Sequence, residues 1–209
     1  VPDKPAPDLS LFLDILKTLE GLRAPYMIIG AFAGTVYGIT RVTYDIDMVV
    51  DLSDAHINAL SAHYPLPRYY ADPEMIRNSI ALGIMFNIID TERGEKADLV
   101  PLSGTPSYYP AFQRRIRQLV EIPGAEPFEV WCAQPDDVIY GKLLAWDEGR
   151  SRKHEGDILE MLTYHYAKRG IHDHSIEESI ERILHQLSEE TILLWQTIKS
   201  QAQKEAGKE

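Results

Sequence analysis

The sequence predicts an α+β fold: strand and helix signals mix over residues 1–133, and a purely helical region follows over 134–209. Two observations predict it. Short apolar runs bounded by glycine, proline and acidic residues recur through the first part at strand length. From Pro135 onward the apolar residues recur with helical period to the end of the chain. At 209 residues and 44% hydrophobic, the chain suits one α/β domain with a helical extension, or two small domains, and has enough apolar side chain for a core.

The elements follow in order. Residues 1–7 are proline-rich and expected to be disordered. Asp8 suits a helix N-cap, Leu9, Phe12, Leu13, Leu16 and Leu19 share a helical face, and Gly21 is the expected stop. Pro25 precedes an apolar strand over Tyr26 to Gly30, and a short helix runs from Ala31 to Tyr37, closed by Gly38. Asp45 to Val50 reads as a second strand, and 53–63 as a helix capped by Ser53 or Asp54. Residues 82–90 and 96–100 read as a hairpin around Glu92-Arg93-Gly94. Strands at 118–122 and 128–132 flank Pro123-Gly124. Pro135 with Asp136 and Asp137 marks a helix start, since proline fits the first turn and acids face the positive dipole end. Helices are expected over 135–148, 152–168, 175–186 and 188–205, the third with a Ser175/Glu178 capping box.

A net charge of −11 argues against a broadly basic nucleic-acid binder, because phosphate neutralisation dominates such affinity. Two local basic clusters remain, Arg114, Arg115 and Arg117, and Arg150, Arg152 and Lys153. Cys132 is the only cysteine, so no intrachain disulfide forms. Apolar runs stay too short to span a bilayer and no signal peptide is visible, so a cytoplasmic location is expected. His172-Asp-His174 reads as a polar loop, because no cysteine stands at zinc-ligand spacing. Ile192 to Trp195 read as core or an oligomer face.

The chemistry concentrates in three acids. Asp45 and Asp47 alternate with Ile46 and Met48, so on a strand both carboxylates face one side, about 6.6 Å apart along the backbone. At an effective dielectric of 20 they repel by about 2.5 kcal/mol, which a divalent cation between them offsets. Magnesium suits the pair, since it takes one or two carboxylates together with substrate phosphates. Upstream, Gly30 stands at a strand-to-helix turn, where the backbone can approach a ligand and helix N–H groups can hold phosphate oxygens. Asp98, in Lys96-Ala-Asp-Leu-Val100, is the third acid, on a strand that fits beside 45–50.

Together these residues resemble the nucleotidyltransferase superfamily that includes DNA polymerase β, the minimal nucleotidyltransferases and the nucleotidyltransferase toxins of bacterial toxin–antitoxin pairs. The pattern there is a strand ending in Gly-Gly or Gly-Ser, a helix, Asp-x-Asp/Glu on the next strand and a later lone Asp. Here those elements are Gly30-Ala31, Asp45-x-Asp47 and Asp98. The likeness is nearest to a small bacterial branch whose second strand opens Arg-x-Thr-x-Asp-Ile-Asp, matched by Arg41-Val-Thr43-Tyr-Asp45-Ile-Asp47. Lys142-Leu-Leu-Ala145, Arg152-Lys153 and Asp157 match the branch's downstream helix, so the resemblance covers about residues 26–165. The chain departs from the pattern at Ala31, which lacks the serine hydroxyl.

The resemblance implies a mixed β-sheet flanked by helices, with a C-terminal helical bundle. It implies a nucleotidyltransferase that moves a nucleoside monophosphate from a triphosphate to an acceptor and releases pyrophosphate. Asp45, Asp47 and Asp98 are then the metal ligands and catalytic acids, with two Mg²⁺ ions when the triphosphate is bound. Asp98 is also the candidate base for the acceptor's proton. Gly30, Ala31, Arg41, Lys142 and Lys153 are the candidate nucleotide contacts. The acceptor candidates are an RNA end, a partner protein or a small molecule, and a homo-oligomer is the candidate assembly. The rival reading is a catalytically weak fold member acting as an antitoxin-like or regulatory binding partner, which Ala31 favours and the intact acid set disfavours.

Overall fold

The computed structural model describes residues 9–41, 43, 46–120 and 126–207. Several expectations lie outside them: the 1–7 tail, the Asp8 cap, Asp45 and the Pro123-Gly124 turn. The chain divides into two compact units. The first holds 1–32 and 42–133, and the second joins 33–41 to 134–209.

The first unit is built on a seven-stranded mixed sheet, as an α+β fold requires. Its strands are β1 (Tyr26–Ile29), β2 (Ile46–Val50), β3 (Tyr69–Tyr70), β4 (Phe86–Asp90), β5 (Glu95–Pro101), β6 (Ile116–Val120) and β7 (Phe128–Cys132), in the spatial order β3-β4-β5-β2-β1-β7-β6. β2 runs parallel to β5 and β1 parallel to β7; the remaining neighbours are antiparallel. All four residues of β1 are buried, which suits a central strand covered on both faces. Helix α1 (Ser10–Leu22) buries Leu11, Phe12, Ile15, Leu16 and Leu19, the apolar stripe that its 3.6-residue period implies. It runs past Gly21, and Arg23 takes the left-handed C-cap at φ 53°, its N–H donating to Glu20 and Leu19 carbonyls. The stop therefore falls later than glycine alone predicts, because the cap geometry was met by a non-glycine residue. Helix α3 (Asp54–His63) starts where expected, with the Ser53 hydroxyl accepting from His56 N–H.

Two pieces of the first unit depart from expectation. Helix α4 (Pro73–Leu82), between β3 and β4, was not foreseen. It buries only Ile76 and Ser79, although Met75, Ile76, Ser79 and Ile80 recur at helical spacing, Asp72 caps it and Pro73 opens it. Leu82 accordingly ends a helix and does not begin a strand. Gly83 closes that helix at φ 66°, and β4 starts at Phe86. A short helix α5 (Tyr109–Gln113) is also present, and β6 begins two residues before the 118–122 run.

The second unit is helical. It contains most of α2 (Gly30–Val36), then α6 (Pro135–Gly149), α7 (Arg152–Arg169), α8 (Ser175–Glu181) and α9 (Glu189–Ala206). Helix α7 packs on α6 and α9. Leu143, Ile158, Leu162, Ile180 and Trp195 are buried between these helices, each aliphatic one contributing about 2 kcal/mol. Gly38, at φ 104°, abuts the Tyr164 ring, where any Cβ would collide. The Ser175/Glu178 capping box does not form. The Asp173 carboxylate accepts from Ser175 N–H at 3.1 Å, the N-cap is His174, and α8 ends at Glu181 ahead of a separate 3₁₀ turn at Leu184–Gln186. An aspartate two residues upstream won the competition for that turn. Among the described residues, no helix is long and apolar enough to cross a membrane.

Candidate active site

The site of the first unit follows from strand register. Ile29 of β1 pairs with Asp47 of β2, Asp47 with Asp98 of β5, and Asp98 with Asn87 of β4. Paired residues project to the same side of a sheet, so Asp47, Asp98 and Asn87 form a row across three adjacent strands. The two acids are neighbours at the strand spacing of about 4.8 Å. At an effective dielectric of 20 that separation costs about 3.5 kcal/mol of repulsion unless positive charge is supplied.

Part of that charge is present. Lys96 stands two residues before Asp98, on the same face, and its Nζ donates to both carboxylate oxygens at 3.0 and 2.9 Å. Asn87 Nδ2 donates to Asp98 Oδ1 at 2.5 Å. The Asp98 side chain is 12% exposed while that of Lys96 is 47% exposed, so the carboxylate is held and the ammonium is at the rim.

Gly30 sits immediately beyond Ile29, at the end of β1. Its φ of +68° is the left-handed conformation that glycine adopts without strain, and a Cβ there would strike the Asp47 carboxylate. The glycine thus performs two tasks: it turns the strand into α2 and opens the space that the Asp47 carboxylate occupies. Ala31 follows in the first turn of α2.

These residues fit a divalent cation of the Mg²⁺ type. The donors are hard carboxylate oxygens, two of them adjacent, beside a glycine cradle that a side chain would fill. Among the described residues, no three histidine, cysteine or acidic side chains gather as a complete protein cage. A Mg²⁺ site completed by substrate phosphates needs none. Asp45 lies outside the described residues.

In the second unit, Arg41 and Lys142 converge on Asp157, the acid whose position the sequence matched without assigning it a role. Arg41 Nε and Nη2 fork onto the two carboxylate oxygens at 2.6 and 2.8 Å, and Lys142 Nζ lies 2.6 Å from Oδ2. Asp157 and Lys142 are 2% and 5% exposed, so Lys142 does not snorkel to solvent. Burial opposes ionisation of Asp157, but the hydrogen bonds from Arg41 and Lys142 outweigh it and hold the carboxyl below its usual range. Burial pulls Lys142 down in turn, opposed by Asp157. The bond to Asp157 raises Arg41. His154 is half-buried with no hydrogen-bond partner for Nδ1, and burial followed by the nearby Lys153 and Lys142 charges disfavours its protonation. Lys153 is exposed on the first turn of α7.

The basic clusters are largely engaged within the fold. Arg117 pairs with Glu20 at 2.5 Å, donates to the Glu129 carbonyl and lies over Trp131. Arg115 donates to the Phe112 carbonyl and stacks on Phe112 and Trp131. Arg150 pairs with Asp147 and Glu190. His174 bonds Glu177 at 2.9 Å and His165 bonds the Asp173 carbonyl, as befits a polar loop. Burial pushes the Cys132 thiol up to about 12, so it is an inert core residue.

Two residues that bond Asp98 carry no role in the sequence reading, Lys96 and Asn87. Lys96 was legible, because Lys-x-Asp on a strand puts both side chains on one face. Asn87 was not, since only the β4–β5 register aligns it with Asp98.

No protein-family profile matches the sequence, and no curated protein does. The chain is similar to several solved structures, three of them as follows. The antibiotic-resistance factor ANT(2'')-Ia is 16% identical, over 85% of this chain and 97% of that one, with a TM-score of 0.44. An antigenic nucleotidyltransferase-like protein from Paracoccidioides brasiliensis is 16% identical over 93% and 91%, with a TM-score of 0.49. The lincosamide antibiotic adenylyltransferase LnuA, in its lincomycin-bound form, is 14% identical over 75% and 97%, with a TM-score of 0.39. Of these three, one is an adenylyltransferase and one a nucleotidyltransferase-like protein. With every TM-score below 0.5, these stand as likenesses, and the function rests on the residues.

Proposed function

We propose that the chain is a Mg²⁺-dependent nucleotidyltransferase that moves a nucleoside monophosphate from a triphosphate to an acceptor hydroxyl or phosphate. The observation that carries this reading is the in-register Asp47–Asp98 pair beside the left-handed Gly30, whose missing Cβ leaves room for the Asp47 carboxylate. Two like charges on one sheet face cost stability, and they make sense where a cation and phosphates complete the site.

In this reading Asp47 and Asp98 hold the cation, with Asp45 as the third acid that the Asp45-Ile-Asp47 alternation of the sequence implies. When bound, the cation supplies Lewis-acid stabilisation of the charge that develops on the phosphoryl and pyrophosphate oxygens. Asp98 also accepts the acceptor's proton, and Asn87 orients its carboxylate by donating to one oxygen. The N–H groups at Gly30 and Ala31 contact the triphosphate, for which backbone suffices and the missing serine hydroxyl is not needed. In the second unit Arg41 and Lys142 share one carboxylate and Lys153 adds a third positive charge near Lys142, an excess that suits a phosphate.

Of the acceptor classes, a small molecule or a protein side chain is favoured over RNA. The chain carries −11, and two arginines of the 114–117 cluster are committed to Glu20, backbone carbonyls and aromatic faces. Little of that cluster remains to neutralise phosphates.

The test is incubation with Mg²⁺ and each α-labelled nucleoside triphosphate, with total RNA, protein lysate or pooled small hydroxyl compounds as acceptors. Label transferred to an acceptor and lost in Asp47→Ala supports the enzyme. Triphosphate binding without transfer under any condition supports the rival, a binding partner built on the same fold.

A further inference from the structure

The Lys96–Asp98 pair has no use in a site whose only task is to hold a cation, because the ammonium occupies both oxygens of one metal ligand. We propose that Lys96 is a resident counter-ion that competes with the divalent cation for Asp98, so that the cation binds tightly only together with the triphosphate. This rests on the nucleotidyltransferase reading of the same site.

The geometry supplies each part. Asp47 and Asp98 are register partners, so without added charge their carboxylates repel, and Lys96 from the same face supplies it. Asn87 fixes Asp98 from the neighbouring strand, so the carboxylate stays in position whichever cation faces it. The Lys96 side chain is about half exposed, on a flexible four-carbon stem, so it can leave Asp98 without disturbing the core. An arriving triphosphate brings several negative oxygens to the face of Lys96. The ammonium transfers to a phosphate oxygen, Asp98 is freed for the cation, and the same phosphates complete the cation's shell. Nucleotide and cation therefore bind with positive coupling, which by linkage is reciprocal. The device also keeps an acid pair from capturing a cation when no substrate is present.

The test uses Mn²⁺ as a paramagnetic stand-in for Mg²⁺, titrated into the full chain while free Mn²⁺ is read by its resonance signal. Titrations are run alone and with a non-hydrolysable α,β-methylene triphosphate. Wild type is expected to bind Mn²⁺ weakly alone and about tenfold or more tightly with the analogue. Lys96→Met is expected to bind Mn²⁺ alone about tenfold more tightly than wild type, with the coupling to the analogue correspondingly reduced. Lys96→Gln should repeat this, and Lys96→Arg, which keeps the charge, should restore wild-type behaviour. Asp47→Asn should lose Mn²⁺ in both conditions. Unchanged or weaker binding of Mn²⁺ alone in Lys96→Met and Lys96→Gln, with wild type still loading in the presence of the analogue, overturns the counter-ion proposal and leaves the transferase reading intact. If wild type fails to hold Mn²⁺ even with the analogue, the transferase reading falls and this proposal falls with it.

Discussion

Gly30 joins backbone and site in one residue. Alanine there must adopt φ +68°, and its methyl must displace the Asp47 carboxylate. The backbone part alone costs about 1–2 kcal/mol. Gly30→Ala is therefore expected to lower the urea midpoint and to reduce nucleotidyl transfer further than the stability loss explains; activity assayed well below the unfolding midpoint separates the two. Asp157 offers a second residue-scale prediction. Removing its charge strands the buried Lys142, so Asp157→Asn is expected to cost about 3 kcal/mol at pH 7 by equilibrium unfolding. Its acid behaviour follows from sign. The folded carboxyl lies below its ordinary value of 3.8, so its stabilisation is complete above that value and drains as pH falls through the depressed folded one. Urea midpoints measured from pH 7 to 3 should fall more steeply below pH 4 in wild type than in Asp157→Asn.

Helix α4 is an element that both its cap and its apolar spacing mark, with little of it buried. Asp72 accepts from Met75 N–H at 2.8 Å and Pro73 follows it, while only two of the helix's residues are buried. With so thin a buried face, the cap carries an unusual share of the helix's stability. Asp72→Ala is expected to cost about 1 kcal/mol and to accelerate amide exchange in 73–82 ahead of the sheet. The reverse error occurred at α8, where a Ser175/Glu178 spacing that suits a capping box lost to the carboxylate of Asp173. Short-range hydrogen-bond partners compete on equal terms, and spacing alone does not rank them. Strands fared better. Val49 and Val50, with Ile46 and Met48, make β2 an inner strand whatever its neighbours, because both faces need apolar cover.

At the scale of the whole molecule, the second unit is not the C-terminal region alone. Ile39 is 5% exposed and Arg41 supplies two of the three charged bonds on Asp157, and both come from 33–41. A fragment of residues 134–209 is therefore expected to be helical by circular dichroism but poorly protected in hydrogen exchange, with a broad thermal transition. The same helices should be protected in the full chain. A sharp transition in the fragment equal to that of the full chain would show that 33–41 contributes nothing to this unit.

By itself the sequence determined most of the elements and pointed to the acids and the glycine of the candidate site. Acid–apolar alternation marked the strand that carries Asp47, Pro135 with two acids opened α6, and Gly30 marked the strand-to-helix turn, because each depends on neighbours a few residues away. The sequence grouped Asp98 with the other acids, and the tertiary structure decided the register in which they meet. The parallel register of β2 and β5 pairs Asp47 with Asp98, fifty-one residues on, and β4 brings Asn87 to the same row. It also decided that Lys142 and Arg41 share Asp157. Such partnerships are set by sheet register and helix packing, which sum many weak contacts across the fold and leave no mark within any single segment.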